Sequence, residues 1–303
     1  MITRNPLRTR ATLIGAVAVL MWSSLAPLTA STKGIPPMQL LAVTFGIAFL
    51  CGSAWLLMTG GWPSLRRLQQ PLPYLAFATA ALFGYHALYF VALSLAPAAQ
   101  ASLIAYLWPL LIVLFAALGS RTEPIRLAHV VGALLGFAGT ALLILSRDAG
   151  ETAAHNRPLG LLAALCCAVI WSSYSVLNRR FRDVPSEAMI GVCGLVSILG
   201  WVAHAIFDSH TAPATASQWV AIVALGFGPV GLAFLAWDYG TKRGNLGLLG
   251  PISYAAPVLS TLLLVTFGYT RGSMNLLAAC ALVVGGAWIA TASGRTDHQE
   301  PQQ

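Results

Sequence analysis

Residues 72–119 read LPYLAFATAALFGYHALYFVALSLAPAAQASLIAYLWPLLIVLFAALG, and they lie within a run of 53 residues, 68–120, that holds no Asp, Glu, Lys or Arg. A helix crossing ~30 Å of hydrocarbon needs about 20 mostly apolar residues, so the run is too long for one crossing. Ala96-Pro97 divides it, because proline cannot continue a helix and keeps its predecessor out of helical geometry. The division predicts crossings near 73–95 and 98–119. A transmembrane β-barrel would alternate in segments of about 10 residues, and these runs are too long and too uniformly apolar for that.

The same reading extends along the chain. A charge at the centre of a crossing costs ~2.5–3.5 kcal/mol, so uncharged blocks mark the spans. The other blocks are 11–32, 34–65, 127–146, 158–178, 188–207, 209–237, 244–270 and 272–294. The expectation is an all-α polytopic membrane protein of ten transmembrane helices. Composition agrees: of 303 residues 57% are hydrophobic and 9% charged, with mean hydropathy +0.76, whereas soluble domains are about 25% charged. Soluble enzymes, disordered regulators and nucleic-acid binders are excluded. Arg4, Arg8, Arg10 and the later Leu28-Thr29-Ala30 imitate a secretory signal, but a signal core runs only about 7–15 residues and block 11–32 is longer. The five cysteines all lie in apolar runs without a CxxC pair, so they read as small buried hydrophobes, and neither a metal nor a cofactor is expected.

Basic residues set the orientation. With the N-terminus inside, thirteen of the 17 Lys and Arg fall on the inner side and four, Lys33, Arg147, Arg157 and Arg271, on the outer. That is a strong positive-inside bias. It predicts both termini in the cytoplasm, and it explains the net charge of +8 by topology and anionic lipid rather than nucleic acid.

An internal repeat is visible. Trp22-Ser23-Ser24 recurs as Trp171-Ser172-Ser173 at an offset of 149, Tyr106-x-x-Pro109 as Tyr254-x-x-Pro257 at 148, and Gly136 as Gly285 at 149. The expected domains are a cytoplasmic segment 1–10, a first five-helix repeat 11–145, a periplasmic connecting loop 146–158, a second repeat 159–292 and a disordered cytoplasmic tail 293–303. Five is odd, so the second unit enters from the opposite side. Inverted repeats of this kind mark many secondary transporters, with the substrate near the midplane. Gly132-x-x-x-Gly136 has the spacing for close helix packing.

Mid-depth residues nominate the site. His86 and Tyr89 share one face near the centre of the third helix, and an ionisable group at that depth is a functional candidate. Tyr106-Leu107-Trp108-Pro109 breaks the fourth helix at its centre, a break that survives in lipid only beside protein or a cavity. Ser253-Tyr254-Ala255-Ala256-Pro257 repeats the device, with Ala-Ala where the first copy has Leu-Trp: bulk on one side, room on the other. Trp22 and Trp171 lie centrally in helices one and six. Asp238 is the one acid at the edge of a span; it pairs with Lys242 one turn on or acts in coupling or gating.

These features resemble the drug/metabolite transporter superfamily of the EamA type. Ala11-Thr12-Leu13-Ile14-Gly15, Trp22-Ser23-Ser24, Tyr106-Leu107-Trp108-Pro109, Trp237-Asp238-Tyr239-Gly240 through Gly244-Asn245, and Ser253 through Ser260 look like its YddG branch. The resemblance implies an exporter of aromatic and other neutral amino acids in the bacterial inner membrane. It implies a cavity lined by His86, Tyr89, Tyr106, Trp108 and Trp171, with Pro109 and Pro257 as bending points and Tyr254 beside them. The branch often has Asn at the position of Asp238, which argues against a required charge there. Aromatic side chains would stack on the substrate, while His86, Tyr106 and carbonyls freed by the two prolines would hold its amino acid head. The expected partners are that small molecule and the bilayer, and a monomer is compatible with the pattern. Another metabolite or a cationic drug such as methyl viologen is the alternative cargo. An intramembrane enzyme is remote, since GxSxG, HExxH and paired mid-span carboxylates are absent from the sequence, and a channel is disfavoured because no ring of like charges appears.

Overall fold

In the computed structural model, residues 6–119, 126–145, 156–209, 211–213, 215–267 and 273–292 are described. Part of the N-terminal segment, most of the connecting loop 146–158 and the tail 293–303 lie outside them. The helices are α1 (Pro6–Trp22), α2 (Leu25–Ala30), α3 (Pro37–Ser64), α4 (Leu72–Leu95), α5 (Ala98–Ala105), α6 (Trp108–Gly119), α7 (Leu127–Leu145), α8 (Arg157–Leu177), α9 (Ala188–Phe207), α10 (Ala216–Leu225), α11 (Ala233–Arg243), α12 (Leu246–Ser253), α13 (Ala255–Thr266) and α14 (Met274–Ala292). No strand occurs among the described residues. Among the described residues, nine continuous or broken segments are long and apolar enough to cross a membrane, and a shorter apolar helix follows at Met274–Ala290. Large apolar side chains such as Leu118, Met58 and Trp62 stand on the outside, where lipid rather than water can receive them.

Among the described residues, span two kinks at Gly61 near its end, and four further spans are broken. Span one pauses at Ser23-Ser24 between α1 and α2, span four at Tyr106-Leu107 between α5 and α6, and span nine at Tyr254 between α12 and α13. Span eight widens into a π-helix over Gly226–Leu232, around Pro229. The first helix starts at Pro6, so Arg8 and Arg10 belong to its opening turns. Proline suits a first helical turn, and long basic side chains reach back to the interface.

Small residues set the helix crossings, as expected where lipid removes the hydrophobic drive for association. A Cβ on Gly132 of α7 would lie 2.5 Å from the Gly286 carbonyl oxygen of α14. A Cβ on Gly240 of α11 would lie 2.5 Å from the Gly15 Cα of α1. The crossing partner on α14 is Gly286; Gly285, the repeat-mate of Gly136, has nothing within 4 Å.

Hydrogen bonds tie the helix ends into two opposite caps. At one, Arg179 donates to the carbonyls of Thr241 and Gly244, Asn245 N–H to Thr12 Oγ1, and Arg67 pairs with Glu187 at 2.9 Å. This basic end also carries Arg66, Arg180, Arg182 and Arg243. At the other, Asp208 accepts from the Met38 and Gln39 amides and Gln218 donates to the Lys33 carbonyl.

Candidate functional site

A cavity of about 450 Å³ enters the bundle from the end opposite the basic one. Its wall uses Leu25 and Thr29 of α2, Leu40 and Thr44 of α3, and Tyr89 and Leu93 of α4, all on that side of mid-depth. The volume falls within the ~300–1,000 Å³ usual for small-molecule sites.

The floor is aromatic. Trp22, Trp108, Trp171 and Trp237, from spans one, four, six and eight, touch one another in every pairing, with centroids 5.1 to 6.4 Å apart. Edge-on geometry dominates, as the ring quadrupoles prefer. Trp22 Nε1 donates to the Pro229 carbonyl at 3.0 Å, and Trp237 Nε1 to Ser175 Oγ at 3.1 Å. The π-helical turn thus presents a backbone acceptor to the floor. Below it an aromatic column continues through Tyr174, Phe77, Phe181 and Tyr74 toward the basic end.

At the bottom of that column lies Asp238. Its carboxylate accepts from Lys242 Nζ at 2.9 Å, Asn178 Nδ2 at 3.0 Å and Tyr74 OH at 3.2 Å, and both charged side chains are fully buried. Lys242 also donates to the Val184 carbonyl and lies 4.6 Å above the Tyr74 ring. A buried pair satisfied on both sides fixes geometry, and removing one partner typically costs about 3–5 kcal/mol. Asp238 is therefore joined to spans three and six at the closed end and stands away from the cavity.

Of the residues nominated from sequence, the structure brings His86, Tyr89, Tyr106, Trp108, Trp171 and Trp22 to one wall. Tyr89 OH and Ser102 Oγ are 3.0 Å apart and link spans three and four. Tyr254, Pro109 and Pro257 do not join that wall. Tyr254 is fully buried with its ring against Gly136, where a Cβ would come within 2.5 Å of it, and edge-on to Phe137. Pro109 packs at the crossing of spans four and nine, its carbonyl oxygen 2.8 Å from a Cβ placed on Gly250. Pro257 accepts from Thr261 Oγ1 at 2.8 Å within its own helix. What span nine gives the cavity is Ala256 and Ser260. Ala105, whose carbonyl would have met a Pro109 N–H, is on the wall; the counterpart Ser253 is buried off it.

Span two and Phe234 escaped the sequence reading. Phe45 and Phe234 stack at 5.6 Å and stand edge-on to His86 at 5.3 and 6.1 Å. A uniformly apolar span carries no polar marker to single out Phe45. Phe234 is one turn from Trp237, a spacing that places both on one face.

Residues 9–145, and again residues 158–292, match the EamA-like transporter family. The chain belongs to that family. A relative from Ancylobacter novellus named "Aromatic amino acid exporter YddG" is 51% identical over 95% of this chain and 99% of its own length. A protein of the same name from Escherichia coli is 26% identical over 95% of this chain and 99% of itself. "Uncharacterized transporter YvbV" of Bacillus subtilis is 28% identical over 91% of this chain and 90% of itself. A crystal structure 51% identical to the chain superposes with a TM-score of 0.88, covering 95% of this chain and 99% of that one. The chain is a multi-pass membrane protein of a transporter family.

Proposed function

We propose that the protein exports aromatic and related neutral amino acids across the bacterial inner membrane by alternating access, and that it is a transporter rather than an enzyme. The observation that carries this reading is the cavity itself: a half-open chamber near mid-depth, floored by Trp22, Trp108 and Trp171 with Trp237 packed behind them, and lined among the described residues without any Asp, Glu, Lys or Arg. Such walls suit a flat apolar side chain. The names of the two exporter relatives support the same cargo. The substrate-facing groups are His86, Tyr89, Tyr106, Trp108 and Trp171, with Trp22 at the floor as a gate and Ala256 leaving space opposite Trp108. Asp238 holds the closed end rather than carrying substrate.

The arrangement is that of two inverted five-helix repeats. The family's double match, the repeated Tyr-x-x-Pro device and the odd helix count per unit support it. The basic end is cytoplasmic, with both termini there, and the cavity then faces outward. Proteoliposomes holding the purified chain test the function: labelled phenylalanine accumulates faster than in empty vesicles if the reading is right. Equal flux in both would overturn it.

A further inference from the structure

Because no charged side chain among the described residues lines the cavity, the ammonium and carboxylate of an amino acid each meet neutral groups on that wall, and hydrogen bonding sorts those groups by polarity. His86 Nδ1 is 2.7 Å from the Leu82 carbonyl oxygen, one helical turn back. A carbonyl only accepts, so Nδ1 carries the hydrogen and donates. In the neutral ring Nε2 then keeps its lone pair, and no carboxylate on the wall compensates an imidazolium. The edge-on rings of Phe45 and Phe234 fix the plane of the imidazole. Trp22 on the floor and Trp237 behind it spend their indole N–H groups inside the protein. Those of Trp108 and Trp171 find no acceptor among the described residues, and an indole N–H can only donate. Tyr85 and Phe234 each touch both His86 and Trp171, so the acceptor and the Trp171 donor flank the same pair of rings, and Trp108 stands edge-on to Trp171 at 6.4 Å.

We infer that His86 Nε2 accepts a hydrogen bond from the substrate's ammonium, while the indole N–H groups of Trp108 and Trp171 donate to its carboxylate. This rests on the amino acid reading above and adds a direction to it. The reverse pose sets a carboxylate against the lone pair of Nε2 and an ammonium against two N–H donors. Hydrogen bonds to charged groups are about twice as strong as neutral ones, so the direction is enforced without any protein charge.

Binding to the purified full chain, followed by tryptophan fluorescence, tests this with L-phenylalanine, phenethylamine and 3-phenylpropionate. His86→Ala weakens the two ammonium ligands by about tenfold or more and leaves 3-phenylpropionate within about twofold. An equal loss for all three, or no loss for phenethylamine, overturns the assignment. Should His86→Ala fail to fold, the wild type alone decides with N,N,N-trimethylphenylalanine, which keeps the positive charge and lacks N–H donors. It binds about tenfold more weakly than phenylalanine if Nε2 is the acceptor, and equal binding overturns the proposal. If no aromatic ligand binds the wild type at all, the transport reading falls with it; if phenylalanine binds without these splits, the head-group assignment alone falls.

Discussion

Spans four and nine carry the same sequence device and turn different surfaces to the cavity. At Tyr106 and Tyr254 the backbone is distorted alike, φ −67° with ψ 5° and φ −68° with ψ −9°, against a helical ψ near −42°. The cause is shared: Pro109 and Pro257 have no N–H to offer the carbonyl four residues back, so the preceding turn tightens. The side chains then part company. Tyr106 and Trp108 face the cavity, while Tyr254 is pressed onto Gly136 and, of residues 253–257, only Ala256, the counterpart of Trp108 at an offset of 148, reaches the wall. Gly285, the counterpart of Gly136, receives no ring. The same sequence device therefore supplies aromatic bulk to the cavity wall from span four and a small side chain from span nine, which makes the wall asymmetric.

Making span nine look like span four should have the largest effect. Ala256→Trp fills the space facing Trp108, and phenylalanine uptake in proteoliposomes should fall by at least about a hundredfold while the protein still purifies as a folded species. Gly136→Val strikes the packing that keeps Tyr254 off the cavity. Its Cβ overlaps the Tyr254 ring, and the cost of about 2 kcal/mol should lower the melting temperature by several degrees. Trp108→Ala removes the bulk from span four. Phenylalanine binding should weaken about five- to tenfold while leucine changes little, and a uniform loss would show that Trp108 serves packing alone. Tyr254→Phe deletes a hydroxyl remote from the cavity, so transport should stay within about twofold of wild type; a larger drop would mean that the two breaks are functionally equivalent after all.

Most of the crossings could be read from the chain because charge in hydrocarbon is so unfavourable that uncharged runs mark them, although span eight continues past its run through Asp238 and Lys242. The break at Tyr106 was legible for a similar reason, since proline leaves a carbonyl unmet whatever surrounds it. Which way Tyr254 points was not legible: the local motif matches that of Tyr106, and the decision lies with Gly136 on another helix. The glycine that packs against α7 was not legible either. One residue turns a helix by about 100°, so Gly286 rather than Gly285 meets α7. The part played by Phe45 and by the π-helical Gly226–Leu232 was hidden because lipid-facing and cavity-facing apolar residues look alike in a sequence. Asp238 and Lys242 were readable as a pair by spacing, but the burial that makes them a fastening of the closed end depends on Asn178, Tyr74 and Val184 from elsewhere in the chain.

The central claim is that one aromatic substrate occupies the chamber between Trp108 and Ala256. A crystal or cryo-EM structure of the full chain with bound phenylalanine measures that directly. Density for the ring over the Trp108–Trp171 floor and within contact of Ala256 is the predicted result. Density elsewhere, or an empty chamber at a saturating concentration that supports transport, would contradict it.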